Sequence, residues 1–231
     1  MYSNAQIINS LLKKHQNDFG KTVDFDKGSE HLIELDFTQK NRSLTTEIIN
    51  DIHLFSDYID SLLVGNNAKF GIGGYMENRT VYARSEHFGK TGQEEPRRLH
   101  LGVDIWGAVN SPIYAFMDAK IHSFSFNNNF GDYGATIILE HQIEGSVFYS
   151  LYGHLSLDNL NYIAKNDEIK KGTQFCDFGN ALDNGNWPAH LHFQLICDME
   201  GREGDYPGVG KLSEKEQWLS KIPDPNIILG F

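Results

Sequence analysis

Apolar and polar positions divide the chain into two unlike parts. Residues 4 to 17 set the pairs Ile7-Ile8 and Leu11-Leu12 between polar residues, the pattern of a short amphipathic helix. Residues 30–37 (EHLIELDF) read as a strand. Across 44–63, apolar side chains recur at Ile48, Ile52, Phe55, Ile59 and Leu62, the three-four spacing of one helix face. Ser43 or Thr45 can cap its start, and Gly65, Asn66 and Asn67 end it. From about 69 to 200 the helical period disappears. Short apolar runs at 111–116 (SPIYAF), 136–141 (TIILEH), 147–154 (VFYSLYGH) and 190–197 (HLHFQLIC) are separated by Gly, Asn, Asp and Pro. Hairpin-length connections between such runs predict antiparallel pairing. The expectation is a mainly β protein: an antiparallel β body with a smaller α+β extension at residues 1–90. Residues 91–231 form the main domain, and its Gly- and Pro-rich tail, 205–231, wraps the body with Trp218-Leu219 as anchor.

Composition narrows the functional classes. With 231 residues, 40% hydrophobic and 22% charged, the chain can bury a full core without staples. Twenty basic against 31 acidic residues give a net charge of −11, which repels phosphate and excludes generic binding to nucleic acid or to an anionic membrane. No run approaches the roughly 20 apolar residues of a membrane span. The N-terminus lacks the unbroken apolar stretch of a secretory signal, so the chain as written is expected in the cytoplasm, and outside it if the chain is a processed form. Cys176 and Cys197 form no C-x-x-C motif and are expected to be buried thiols.

Ten histidines offer candidate chemistry. His190 and His192 form H-L-H within a strand, so they share one face with Gln194, while Leu191, Phe193, Leu195 and Cys197 make an apolar opposite face. Packing gives little reason for two histidines side by side. His100 and Asp104 form H-L-G-V-D, a mixed nitrogen and oxygen pair suited to Zn²⁺, with Gly102 expected to let the backbone bend between them. A turn in which Asp104 accepts backbone hydrogen bonds is an equal reading of that spacing alone. His154 closes Y-G-H-L-S and, by strand alternation, lies on the face of Tyr152 and Ser150. His141 ends its own strand and reads as structural.

In order, the chain presents H-x-x-x-D, then Y-x-H fifty residues after Asp104, then H-x-H thirty-six residues later. Over about 98–197 this resembles the lysostaphin-type zinc metalloendopeptidases, which cleave peptide cross-links in bacterial cell walls. The segments HLGVDIWGAVNSPIYAFMDAKI, DYGATIILEH with FYSLYGHLS, and IKKGTQFCDFGNALDNGNWPAHLHFQLI carry the likeness. The resemblance implies a lysostaphin-like β body, Zn²⁺ as cofactor and a peptide or peptidoglycan substrate. It implies His100, Asp104 and His192 as zinc ligands and His154 and His190 as catalytic histidines that do not bind the metal. His190 would then be placed to act as general base, and His154 to stabilise the oxyanion or protonate the leaving amine; the division of steps between them stays open.

Two features depart from that pattern. The segment before H-x-H, ALDNGNWPAH, is bulkier than the usual Gly/Ser-rich turn and contains Trp187. The tail, with KFGIGGYMENRTVY upstream, is similar to a variant of the domain found beside kinase-like and class III aminotransferase modules. The competing reading is a metal-retaining module that binds a peptide or protein without turnover. A cupin-like oxygenase or isomerase would need a further carboxylate near H-x-H, and the nearest glutamate, Glu200, lies beyond the strand.

Overall fold

The computed structural model of the chain describes residues 3–89 and 94–231. Helix α1 (Asn4–Lys14) opens on a capping box in which Ser3 and Gln6 satisfy each other's backbone amides, and it buries Ala5, Ile8 and Leu12. The single helix expected over 44–63 is instead two, α2 (Thr46–Asn50) and α3 (Ile52–Gly65). Asp51 interrupts it with an extended backbone, and its carboxylate accepts from the amides of His53 and Leu54. A short acidic side chain gains more as an N-cap than as a helix interior residue, and periodicity alone does not register that competition. Thr45, not Ser43, caps α2 through Ile48.

Among the described residues there are twelve strands: β1 (Leu32–Leu35), β2 (Phe70–Gly73), β3 (Arg97–His100), β4 (Val103–Trp106), β5 (Pro112–Tyr114), β6 (Ala119–Asn127), β7 (Gly134–Ile143), β8 (Ser146–Leu155), β9 (Glu168–Ile169), β10 (Gln174–Asp177), β11 (His190–Ile196) and β12 (Val209–Lys211). Eight form one sheet in the order β1-β2-β4-β11-β8-β7-β6-β9. Its pairs are antiparallel except β1 with β2. Two small ribbons, β10-β5 and β12-β3, flank it. The protein is thus mainly β, with helices concentrated in its N-terminal part.

One sheet face carries the main core. Val103, Ile105, Leu191, Phe193, Leu195, Ile137 and Leu139 pack there against Ile8 and Leu12 of α1, Ile113 and Phe178. The other face carries two smaller clusters. One joins Trp106 to Phe37, Phe55, Ile59 and Trp187, and the other joins Leu99, Leu101, Tyr133, Leu151, Ile196, Tyr206 and Ile222. The polar face of β11 lies on the side of these two clusters, with His190, His192 and Gln194 all buried.

The tail runs back over the body as expected, but with a different anchor. Ile222 is fully buried, whereas Leu219 is exposed and Trp218 is half-buried against the second small cluster. Helix α4 (Lys215–Leu219) precedes that anchor, and α5 (Asn226–Leu229) follows it, burying Ile228 and Leu229 in the main core. Both cysteines are free thiols, Cys176 buried and Cys197 half-buried. Among the described residues no helix is long and apolar enough to cross a membrane.

Candidate functional site

Strand register explains how distant residues meet. On β4 and β11, Asp104 lies directly opposite His192, and Trp106 opposite His190. His100 ends β3, and its backbone is held from both sides: its amide donates to Glu77 and its carbonyl accepts from Met76. The chain bends at Gly102, as the sequence suggests, but the glycine also has a second part. Its φ is not positive, so the bend itself does not demand glycine; a Cβ there would lie 2.7 Å from His192 Nε2 and from the Phe193 carbonyl. The glycine is needed for close approach of the ring.

His100, Asp104 and His192 are all buried and bring one ligand atom each to a common point. His100 Nε2 lies 2.9 Å from His192 Nδ1, and each is 3.1 Å from Asp104 Oδ1. The outer ring nitrogens fix the tautomers. His100 Nδ1–H donates to the Gly74 carbonyl at 2.8 Å, so Nε2 is left as a lone pair. The Gln194 amide nitrogen donates to the Pro207 carbonyl at 3.1 Å, which turns Oε1 toward His192. His192 Nε2–H then donates to that oxygen at 3.0 Å, and Nδ1 is the bare atom. Two lone pairs and a carboxylate oxygen therefore converge with no proton between them. Burial would raise the Asp104 carboxyl, but His100 and Arg79 beside it outweigh that and hold it well below the usual range. Burial pushes His100 down to about 4, so it stays uncharged. This donor set fits a small divalent cation that takes nitrogen and oxygen ligands.

His154 and His190 flank the cluster. Their ring centroids are 4.1 Å apart, and His154 is 6.3 Å from His192. His190 Nδ1 is bonded to the Pro188 carbonyl and His154 Nδ1 to the Asn184 carbonyl, each at 2.8 Å, so both retain Nε2 as a free acceptor. Trp106 stacks on His190 at 3.9 Å and 11° and fixes its plane. Burial lowers both histidines, His190 to about 4.

Simple alternation misplaces His154. Tyr152 and Ser150 point to the main-core face, where Tyr152 packs on Phe193. His154 has φ +66°, a left-handed conformation that swings its ring to the opposite face. That backbone costs about 1–2 kcal/mol in a residue with a Cβ. It is held by bonds from the His154 amide to the Tyr133 carbonyl and from the Gly179 amide to the His154 carbonyl. His141 lies in the main core between Phe116 and Phe148, bonded to Ser150 at 2.6 Å, and has no part in the site. Glu200 is exposed and pairs with Lys221.

Three contributors escape sequence reasoning. Asn184 is fully buried and braces the 184–187 turn whose carbonyl orients His154. Arg79 bonds to Asp104 Oδ2, and Glu77 bonds to Arg79. These residues lie in segments noticed only for being unusual, and no spacing rule marks them. A cavity of about 330 Å³ opens over the histidines, lined by Tyr82, Phe88, Tyr133, Trp187 and Tyr206 among others.

The fold and site define a mainly β protein with a buried His–Asp–His cluster and two further histidines beside it. Residues 98–203 match the sequence profile of peptidase family M23. Among solved structures, the catalytic domain of lysostaphin from Staphylococcus simulans is similar at 22% identity, covering 76% of this chain and 98% of that one with a TM-score of 0.41. A zinc-containing peptidase from Vibrio cholerae is similar at 23% identity, covering 47% of this chain and 30% of that one with a TM-score of 0.35. A curated sequence, ABC transporter G family member 16 of Arabidopsis thaliana, is 24% identical over 186 residues, 74% of this chain and 23% of that protein. The chain thus spans less than a third of the length of the last two.

Proposed function

We propose that the protein is a zinc-dependent metallopeptidase that hydrolyses amide bonds in short peptides or peptidoglycan cross-links. In this reading His100, Asp104 and His192 hold Zn²⁺, and His154 and His190 are the catalytic histidines. The observation that carries it is the convergence of three unprotonated ligand atoms at 2.9–3.1 Å, with each imidazole's other nitrogen tied to a carbonyl oxygen. Two imidazoles and one carboxylate are the ligand number and type of catalytic zinc sites. When bound, zinc acidifies a water molecule and polarises the scissile carbonyl.

The remaining chemistry belongs to side chains of this chain. His190 and His154 each offer an uncharged Nε2, and the one that accepts a proton from the attacking water then holds, as its Nε2–H, the proton that the leaving amine takes up. Burial keeps both as bases well below neutral pH. Aromatic side chains line part of the cavity, and the low polarity they lend its walls strengthens polar interactions against them. Residues 91–231 form the catalytic domain in this proposal, and residues 1–90 an extension that supplies part of its wall.

The test is elemental analysis of protein purified without added metal, followed by digestion of muropeptides and synthetic short peptides. About one zinc per chain with amide cleavage is expected. Zinc without cleavage of any substrate points instead to a binding module. Substoichiometric zinc that added zinc does not restore removes the metal assignment.

A further inference from the structure

The two oxygens of Asp104 have different surroundings. Oδ1 faces the two imidazoles at 3.1 Å each. Oδ2 accepts from Arg79 Nη1. Arg79 is 1% exposed, and its guanidinium lies over the Phe37 ring at 5.0 Å. Its Nε donates to Glu77 Oε2 at 2.7 Å, and Glu77 Oε1 in turn accepts from the Phe37 amide at 3.3 Å. Gly73 makes room for the fork, since a Cβ there would collide with Arg79 Nη2.

A buried ion pair extended by a half-buried carboxylate is an expensive device, because Arg79 and Asp104 must be stripped of water. Packing alone would be served as well by an apolar side chain. What the triad does here is occupy the second oxygen of the carboxylate. A free carboxylate can chelate a cation with both oxygens, whereas one whose second oxygen accepts from a guanidinium N–H presents a single oxygen. The charge arithmetic also fits. Asp104 and Glu77 are negative and Arg79 positive, so the triad sums to −1, the same as Asp104 alone. Arg79 can therefore direct the carboxylate without cancelling its attraction for a cation, because Glu77 offsets it. Arg79 and Glu77 both precede the family-matched segment 98–203.

We propose that Arg79, held by Glu77, is a positioning residue that restricts Asp104 to one-oxygen coordination and thereby keeps a coordination position free for substrate. This rests on the reading of His100, Asp104 and His192 as a metal site. An ammonium in place of the guanidinium keeps the charge but loses the planar fork that reaches Asp104 and Glu77 together.

The experiment loads the full chain with cobalt(II) and records its visible absorption, whose intensity falls as the coordination number rises. The parent protein is expected to show the strong bands of four-coordinate cobalt. Arg79→Lys and Arg79→Met are expected to bind cobalt with weaker bands, as Asp104 engages through both oxygens. Peptide hydrolysis by the zinc-loaded variants should fall roughly 10–100-fold, in kcat with little change in KM. Far-UV circular dichroism checks that each variant folds, and if Arg79→Met does not, the charge-conserving Arg79→Lys decides. Cobalt binding by the parent with an unchanged spectrum in a folded Arg79→Lys overturns the positioning role and leaves the metal site standing. A parent protein that binds no cobalt overturns both.

Discussion

Gln194→Leu separates the structural role of a buried amide from its role at the site. Gln194 is fully buried. It accepts from His192 Nε2 at 3.0 Å and donates to the Pro207 carbonyl at 3.1 Å. Leucine nearly matches its volume and removes both bonds. Two buried groups are then orphaned, the His192 N–H and the Pro207 carbonyl, each at about 1–3 kcal/mol. A total of about 4 kcal/mol corresponds to a fall in Tm of roughly 8–16 °C for a domain of this size. Separately, His192 loses the bond that fixes its tautomer and ring orientation, and zinc affinity should fall roughly 10–100-fold. Calorimetry gives the first quantity, and competition with a chromophoric chelator gives the second. A lowered Tm with unaltered zinc affinity would refute the argument that Gln194 sets the bare nitrogen of His192. Gln194→Glu is the companion variant. It keeps an acceptor for His192 but turns an oxygen toward the Pro207 carbonyl, so it should hold zinc better than Gln194→Leu while remaining destabilised.

Asp104→Ala should lose zinc together with activity, whereas His190→Ala and His154→Ala should keep zinc and lose about 10²–10⁴-fold in rate; metal analysis beside a peptide assay checks this, and the reverse pattern inverts the roles. Gly102→Ala places a methyl 2.7 Å from the His192 ring and should cost about 1–3 kcal/mol and weaken metal binding, measured by thermal melts and chelator competition. Burial lowers His141 to about 4 from an ordinary 6.5, so the unfolded chain binds the extra proton between those values. Stability from this residue is complete above about pH 6.5 and erodes as pH falls toward 4, by up to about 3 kcal/mol. His141→Gln should flatten the denaturant-measured stability profile across that window, and an unchanged slope would show that His141 is not protonated on unfolding.

Much of this architecture is legible in the chain because burial writes a period into it. The alternation through 190–197 places His190, His192 and Gln194 on one face, and the strand β11 keeps them there. The same rule fails at His154, because a single left-handed residue reverses the face and histidine carries no glycine-like mark of it. It fails again at Asp51, where capping competes with an uninterrupted helical period. Arg79, Glu77 and Asn184 are invisible for another reason. The contacts that tie them to the site, Arg79 to Asp104 and Asn184 to His154, span 25 and 30 residues, and a polar residue that supports a ligand has the same local pattern as one facing solvent.

The path of the tail bears on the order in which the molecule assembles. Pro207 provides the carbonyl that turns Gln194, and Gly208 provides the carbonyl that receives the Leu101 amide. Ser220 accepts from the Ala5 amide, and the Asp224 amide donates to Asn9, 215 positions away. Contacts of such span are reached only after long loops have closed, which slows folding. During synthesis the histidines of β3, β8 and β11 all emerge before Pro207, whose carbonyl orients His192 through Gln194. In the proposed reading metal capture therefore waits for Pro207, and a nascent chain halted before it would carry all five histidine and aspartate side chains of the site without the bond that turns Gln194 toward His192.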